Sequence, residues 1–376
     1  MKLGEVLRLD VNRVPVDPAT SYAMVGVLSF GRGLFEREPI ENGNTSYRVF
    51  YRLKADHVVM SQLFGWEGAL ALSDKTFEGR FVSPQFPTFL CDRDKLDRRF
   101  LGWLMRRPAL WEELGSRASG MGDRRRTLTP DSLFHCEIPL PPLPEQRRVV
   151  ERIDELDAQI QEARTLRHQA ADEAEALCRA VLASDPKPTP TSIADFLRLR
   201  PPEVLVQPSE TYQFAGVYCF GRGVFRGQTK TGMEFAYPRL TRLRTGNLVY
   251  PKLMAWEGAF GVVPPECDGC VVSTEFPVFE VNQEKVFPEI LDIYFRTPAV
   301  WPMVAGDSTG TNVRRRRLSP QDFLAYKFPL PSKQTQIKVR KVKAEVDGLK
   351  RLQAETSAEL GALLPAILDK AFKGEL

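Results

Sequence analysis

Between residues 145 and 183 the chain carries neither Gly nor Pro, and its apolar residues recur at alternating steps of four and three. Val149, Ile153, Leu156, Ile160, Ala163, Ala170, Ala174, Leu177 and Val181 fall on this row, broken once by Arg167. Such spacing predicts a long helix with a heptad seam. A second row, Val342, Val346, Leu349, Leu360, Leu363 and Ile367, holds Gln353 and Thr356 as polar breaks, and Pro365 predicts a kink near its end. A helix of about 39 residues runs about 58 Å. That is too long to bury on a small globule, so its partner is expected to be another long helix, the second one of this chain or, if the protein dimerises through them, one of a second copy. Charge agrees. Residues 145–183 hold nine acidic against six basic side chains, and residues 333–373 hold five against nine, which favours the hetero-pair over self-pairing.

Elsewhere the pattern changes to short apolar stretches of β character, punctuated by Gly and Pro, at residues 22–30, 57–63 and 68–72. A helix follows over residues 96–114, interrupted by Pro108. All of this recurs 190 positions later, at residues 212–220, 247–253, 258–263 and 286–304. Phe30-Gly31-Arg32-Gly33 returns as Phe220-Gly221-Arg222-Gly223, and Trp66-Glu67-Gly68-Ala69 as Trp256-Glu257-Gly258-Ala259. Arg124 to Arg126 meet Arg314 to Arg316, and Pro139-Leu140-Pro141 meets Pro329-Leu330-Pro331. Roughly a third of the aligned positions over 22–141 are identical without a gap, so a whole domain plus connector is duplicated. The expected fold is α+β: two similar mixed α/β globules joined by two long helices pairing as an antiparallel coiled coil, with an internal pseudo-two-fold repeat. The boundaries read as 1–142, 143–184, 185–332 and 333–376. Pro186, Pro188 and Pro190 mark a linker into the second globule.

Composition removes several alternatives. No apolar run reaches the length needed to cross a bilayer, and the N-terminal stretch lacks the order of a secretory signal, so a cytoplasmic protein is expected. Of six cysteines only Cys267 and Cys270 are close, and none of the three His lies near them, which argues against a zinc site and for reduced thiols in a loop. No metal or cofactor is expected. The net charge of +4 permits a nucleic-acid partner without demanding one.

The distribution of charge is more informative. Gly120 precedes Arg124, Arg125 and Arg126; Gly310 precedes Arg314, Arg315, Arg316 and Arg317. Small residues let backbone approach phosphate, and guanidinium groups pair with phosphate oxygens or with guanine. One such run reads as a solvated loop; two, each before a Pro-Leu-Pro boundary, point to DNA. Arg32 with Gly33, Arg222 with Gly223, and Lys252 are counted as further DNA-contact candidates. The Phe-Gly-Arg-Gly segments also read as hairpin turns in which Gly supplies positive φ. A glycine loop for S-adenosylmethionine is the third reading, opposed by the absence of an Asn-Pro-Pro-Tyr type motif. Trp66 and Trp256 read as packing residues rather than base-stacking ones.

Residues 139–150, Pro-Leu-Pro-Pro-Leu-Pro-Glu-Gln-Arg-Arg-Val-Val, resemble the junction between target-recognition domain and conserved helix in specificity subunits of type I restriction-modification systems. The ending, Leu364-Pro365-Ala366-Ile367 through Gly374-Glu375-Leu376, resembles the end of their second helix. The second junction departs from the pattern, reading Pro331-Ser332-Lys333-Gln334-Thr335-Gln336, with only the Gln kept. The resemblance implies a non-catalytic subunit acting in phage defence. Each globule would read half of a bipartite DNA site and the paired helices would set the spacing. Modification subunits that bind S-adenosylmethionine, and a restriction subunit, would be its partners. Rival readings are an antirestriction decoy or specificity module of the same shape, a methyltransferase, and a protein-binding scaffold. The repeat also predicts similar half-sites.

Overall fold

The computed structural model describes residues 1–41, 43–119, 126–305 and 317–376. It separates into two compact units, Met1–Thr165 with Thr356–Leu376, and Leu166–Glu355. Its helices are, in chain order, α1 (Arg98–Met105), α2 (Pro108–Arg117), α3 (Pro130–Phe134), α4 (Leu143–Ala183), α5 (Pro288–Phe295), α6 (Trp301–Ala305), α7 (Pro320–Ala325), α8 (Lys333–Glu355) and α9 (Ser357–Lys373). Among the described residues none is long and apolar enough to cross a membrane.

In the first unit a four-stranded antiparallel sheet places Leu7–Leu9 beside Thr88–Cys91, then His57–Met60, then Leu70–Leu72. The second unit repeats it with Leu197–Leu199, Val278–Val281, Leu248–Val249 and Gly261–Val262. Even the register is kept: Leu7 faces Cys91 where Leu197 faces Val281. The chain opens on a single 3-10 turn, Leu3–Glu5, and strand Leu7–Leu9 follows. The interruption at Pro108 separates two helices: Asp97 caps α1 through the backbone N–H groups of Arg99 and Phe100, and Pro108 occupies the first turn of α2 where no N–H is needed.

A second sheet differs between the units. In the first, Arg13–Pro15, Val49–Arg52 and Phe81–Val82 form three strands, and Val25–Val27 pairs with Leu34–Glu36 as a separate short hairpin. In the second, five strands join, ending in a long ribbon of Thr211–Tyr218 and Gly223–Thr231 with Gly223–Thr231 at the sheet edge. The segment marked as linker by its prolines is ordered in part: Thr189–Ser192 pairs antiparallel with Lys327–Leu330. The Asp185 carboxylate secures it by accepting from the backbone N–H and hydroxyl of Ser332 at 2.8 and 2.7 Å and from the N–H of Lys187 at 3.0 Å.

The long helices pair antiparallel within each unit. In the first, Val149, Val150 and Ile153 of α4 share a core with Leu368, Ala371 and Phe372 of α9, and with Phe100, Leu101 and Leu104 of α1. In the second, Cys178 of α4 packs with Val339 and Val346 of α8. There Lys350 also pairs with Glu175 at 2.5 Å, and Gln353 donates to the carbonyl of Arg167 at 3.4 Å.

Three seam residues need correction. Leu177, Leu349 and Leu363 are exposed, at 52%, 38% and 45% of their surface. Cys178 takes the buried place next to Leu177, and Leu368 is buried in the turn after Leu363, where Leu364 also packs on the core. Val149, Ile153, Ile160 and Val346 are buried, while Leu156, Val342, Leu360 and Ile367 are half-buried. The heptad seam drifts because these helix ends also pack on a globule, and a helix buried on two sides follows its natural 3.6-residue period instead of 3.5. The break in the second long helix is at Thr356, between α8 and α9, whereas Pro365 lies inside α9 without ending it.

Cys267 and Cys270 are free thiols in the connection between Gly261–Val262 and Val271–Val272, with their side chains buried in an apolar cluster with Val249, Val263 and Val272. Burial pushes the Cys267 thiol up to about 11, the usual behaviour of a structural cysteine. Among the described residues no cluster of His, Cys, Asp and Glu could hold a metal ion.

Candidate nucleic-acid interface

Each unit builds the same constellation around its Trp-Glu-Gly turn. In the first, Gly65–Glu67 forms a 3-10 turn closed by Gly68 at φ 74°. Gly68 must be glycine on two counts: the left-handed backbone, and the indole of Trp111 lying where a Cβ would project. Trp111 is held there by donating from Nε1 to the Met105 carbonyl at 2.7 Å. The second unit repeats this with Gly258 at φ 73°, and with Trp301 donating to Phe295 at 2.9 Å.

One side of this turn holds the Phe-Gly-Arg-Gly segment. The N–H groups of Phe30 and Gly31 donate to the carbonyls of Glu67 and Gly68, both at 2.9 Å, and those of Phe220 and Gly221 donate to Glu257 and Gly258 at 2.8 and 3.0 Å. The segment is a hairpin turn with Phe30 at φ 65°, Gly31 at 61° and Gly33 at 95°, matched by Phe220 at 62°, Gly221 at 65° and Gly223 at 84°. Positive φ is unfavourable for a bulky residue, yet both phenylalanines adopt it. Their rings stay largely exposed. Arg32 and Arg222 are exposed; each folds its Nε back onto a carbonyl, of Ser29 at 2.9 Å and of Cys219 at 3.3 Å. The Arg222 guanidinium stacks 4.7 Å from the Tyr218 ring centroid.

The other side of the turn holds the base of the Arg-rich segment. Ser119 and Thr127 exchange backbone hydrogen bonds at 3.1 and 2.9 Å, and Leu128 donates to the Gln62 carbonyl at 2.8 Å. Arg126 lies over the Trp66 ring at 5.6 Å. Trp66 is thus half-buried, with its Nε1 donating to Leu63 at 2.9 Å, and serves as a platform for a guanidinium as well as a packing residue. In the second unit Leu318 donates to the Lys252 carbonyl at 2.9 Å. Lys252 itself donates from Nζ to Thr274 at 2.8 Å, and Arg317 pairs with Glu275. Gly120, Arg124, Arg125, Gly310, Arg314, Arg315 and Arg316 lie outside the described residues. The structure therefore brings Arg32, Gly33 and Arg126 to one turn in the first unit, and Arg222, Gly223, Lys252 and Arg317 to its counterpart in the second. Such a set can offer cations and glycine backbone to a polyanion.

By backbone comparison with solved structures, the chains that match over 100% of this one include two. The first is an HsdS subunit from Thermoanaerobacter tengcongensis, at 23% identity and a TM-score of 0.53, with 96% of that chain covered. The second is a chain from a structure concerning complex assembly and conformational transition of the type I R-M system, at 22% identity and a TM-score of 0.66, with 97% covered. The chain has the HsdS fold. No family model and no curated protein matches it by sequence.

Within this HsdS fold the sequence reading missed the pair that seats each globule on its helix. Gln146, fully buried, donates from Nε2 to the carbonyls of Lys95 and Pro141 at 2.7 and 2.8 Å, and its Oε1 accepts from the Asp97 N–H at 2.8 Å. Gln336 does the same with Lys285, Pro331 and Phe287 at 3.1, 3.0 and 3.2 Å. The signal was available: this Gln is what the two junctions keep in common when the neighbouring Glu145 becomes Thr335.

Proposed function

We propose that the chain is a DNA-specificity subunit of a type I restriction-modification complex and has no catalytic role of its own. One observation carries this reading: a chain with the HsdS fold along its whole length presents the same cationic turn twice, once per unit. In this reading residues 1–142 and 185–332 each read one half of a bipartite duplex site. Residues 143–184 and 333–376 fix the spacing and dock the modification subunits, which bring S-adenosylmethionine, and a restriction subunit completes the complex. Arg32, Arg126, Arg222, Lys252 and Arg317, with the Arg-rich segments they flank, supply the contacts to DNA; phosphate contacts set affinity and base contacts set sequence.

The test is methylation profiling of host DNA with and without this gene, in cells that carry the modification subunit. A bipartite adenine-methylation motif that depends on the gene supports the proposal. A methylome unchanged by deletion, together with purified chain that fails to shift duplex DNA at low salt, removes it.

A further inference from the structure

The two units share the cationic turn but carry different side chains along the strand that leaves it. From Gly223 the edge strand of the second unit runs to Thr231, paired on one side only. Its residues 226–231 read Arg-Gly-Gln-Thr-Lys-Thr, with two cations and no acid. The corresponding residues 36–41 of the first unit read Glu-Arg-Glu-Pro-Ile-Glu, with three acids and one cation. Beyond strand Leu34–Glu36 the pairing thins to the Arg37 N–H on the Met24 carbonyl at 2.9 Å and an isolated bridge, Tyr22 to Ile40. Arg226, Gln228 and Thr229 are exposed and Lys230 is half-buried. Glu36, Glu38 and Glu41 are also exposed, with Glu36 paired to Arg80 at 2.8 Å.

The second ribbon is also braced. A bulge interrupts its register between Gln213 and Ala215. There the Gln213 amide donates to the Gly227 carbonyl at 2.6 Å and accepts from the Thr229 hydroxyl at 2.8 Å. A bulge re-aims the side chains around it, and the bridging amide keeps that geometry in place. From Arg222 to Lys230 the strand advances about 27 Å at roughly 3.4 Å per residue. That is about eight base-pair steps of duplex. A two-stranded ribbon fits the major groove, Gln pairs with adenine and Arg with guanine.

We propose that the edge strand Gly223–Thr231 is a DNA-contacting arm that the first unit lacks, with Arg226, Gln228 and Lys230 as its contact residues. The two half-sites are then read by unlike chemistry, and the second unit holds the duplex more firmly. This rests on the DNA-reading function proposed above, and it replaces the expectation of similar half-sites.

The test uses the full chain and a fluorescein-labelled random duplex in an anisotropy titration across a salt series. Arg226→Ala with Lys230→Ala should lower the slope of log affinity against log salt by about 1.8, the value for two phosphates no longer neutralised. Glu36→Arg with Glu38→Gln should raise it by about 0.9, the value for one more phosphate. Arg226, Glu36 and Glu38 are exposed and Lys230 is half-buried, so the thermal midpoint of each variant is read alongside to separate a lost contact from a lost fold. In hydroxyl-radical footprinting on a methylated target, the double Ala variant should lose protection at one half-site only. A slope unchanged in both variants, while the wild-type chain still binds, overturns the arm and leaves the function standing. A wild-type chain that binds no duplex removes both.

Discussion

Replacing Gln146 tests whether the globule is seated on its helix by hydrogen bonding or by packing alone. Gln146→Leu keeps the side chain's bulk and removes all of its polar contacts. The Asp97 N–H and the Lys95 and Pro141 carbonyls lose their amide partner at a fully buried position. A buried group left unsatisfied costs about 1–3 kcal/mol, and carbonyls with a second lone pair lose less than an N–H, so a total of roughly 2–4 kcal/mol is expected. For a unit of this size each kcal/mol moves the midpoint by about 2–4 °C, so the first unit should melt roughly 5–15 °C earlier. Gln146→Glu adds a directional test. The Asp97 N–H keeps its acceptor, but the amide nitrogen becomes an oxygen facing two carbonyl oxygens. The carboxyl can sit there only when protonated, so its folded pKa is raised above the unfolded value. Relative to wild type, the contribution at this position is then fully present below about pH 4.3 and is lost as pH rises through the folded pKa. Calorimetry from acid to neutral pH, alongside Gln336→Leu as the matching change in the second unit, reads both effects. A Gln146→Leu midpoint within about 1 °C of wild type would refute the hydrogen-bonded seat, as would a Gln146→Glu protein whose stability does not fall as pH rises.

Three further outcomes are expected. Ser332 and Lys187 hold the Asp185 carboxyl well below its usual range, so its contribution is present above about pH 4 and lost as pH falls toward the folded pKa; Asp185→Ala should flatten the acid limb of the stability profile and loosen Thr189–Ser192 in hydrogen exchange. Gly258→Ala forces a Cβ into the Trp301 ring at positive φ and should cost about 2–4 kcal/mol, measured by urea unfolding, whereas Gly348→Ala, which meets open space, should not destabilise. Changing Arg124, Arg125 and Arg126 to Ala should weaken one half-site, and changing Arg314 to Arg317 the other, with the salt slope falling by about one for each phosphate left without its cation; unchanged affinity in both would remove these segments from the site.

Duplication, the two α/β globules and the antiparallel helix pair were legible because each rests on pattern over many residues. Pairing order was not: Leu7–Leu9 joins Thr88–Cys91 across some eighty residues, and nothing local in either strand names its partner. Of the seam row, Val149, Ile153 and Ile160 are buried while Leu177, Leu349 and Leu363 are exposed, because a helical row shows that a face is buried without showing how many neighbours bury it. Proline was the least reliable signal. It ended α1 before Pro108 yet left α9 continuous through Pro365, and it suggested a linker where Pro190 sits in a strand opposite Pro329. At the candidate site the Arg-rich segments announced themselves by charge. The Trp-Glu-Gly turn that holds the Phe-Gly-Arg-Gly segment did so only as a repeated motif, since its role depends on carbonyls rather than side chains.

The first unit is discontinuous in the chain, while the second is one uninterrupted stretch from Leu166 to Glu355. On a ribosome this inverts the usual order of maturation, in which the earlier domain is finished first. Both helical segments of the second unit are in hand once residue 355 has emerged. The first unit, begun far earlier, still lacks Leu368, Ala371 and Phe372 from its core, and the Arg148 guanidinium still lacks the Leu376 carbonyl it binds at 2.7 Å. For the whole interval in which the later unit is being made, the earlier one waits with an open apolar groove beside Val149, Ile153 and Phe100. A nonsense codon near residue 356 would thus leave the last-made part of the protein folded and the first-made part exposed to proteases.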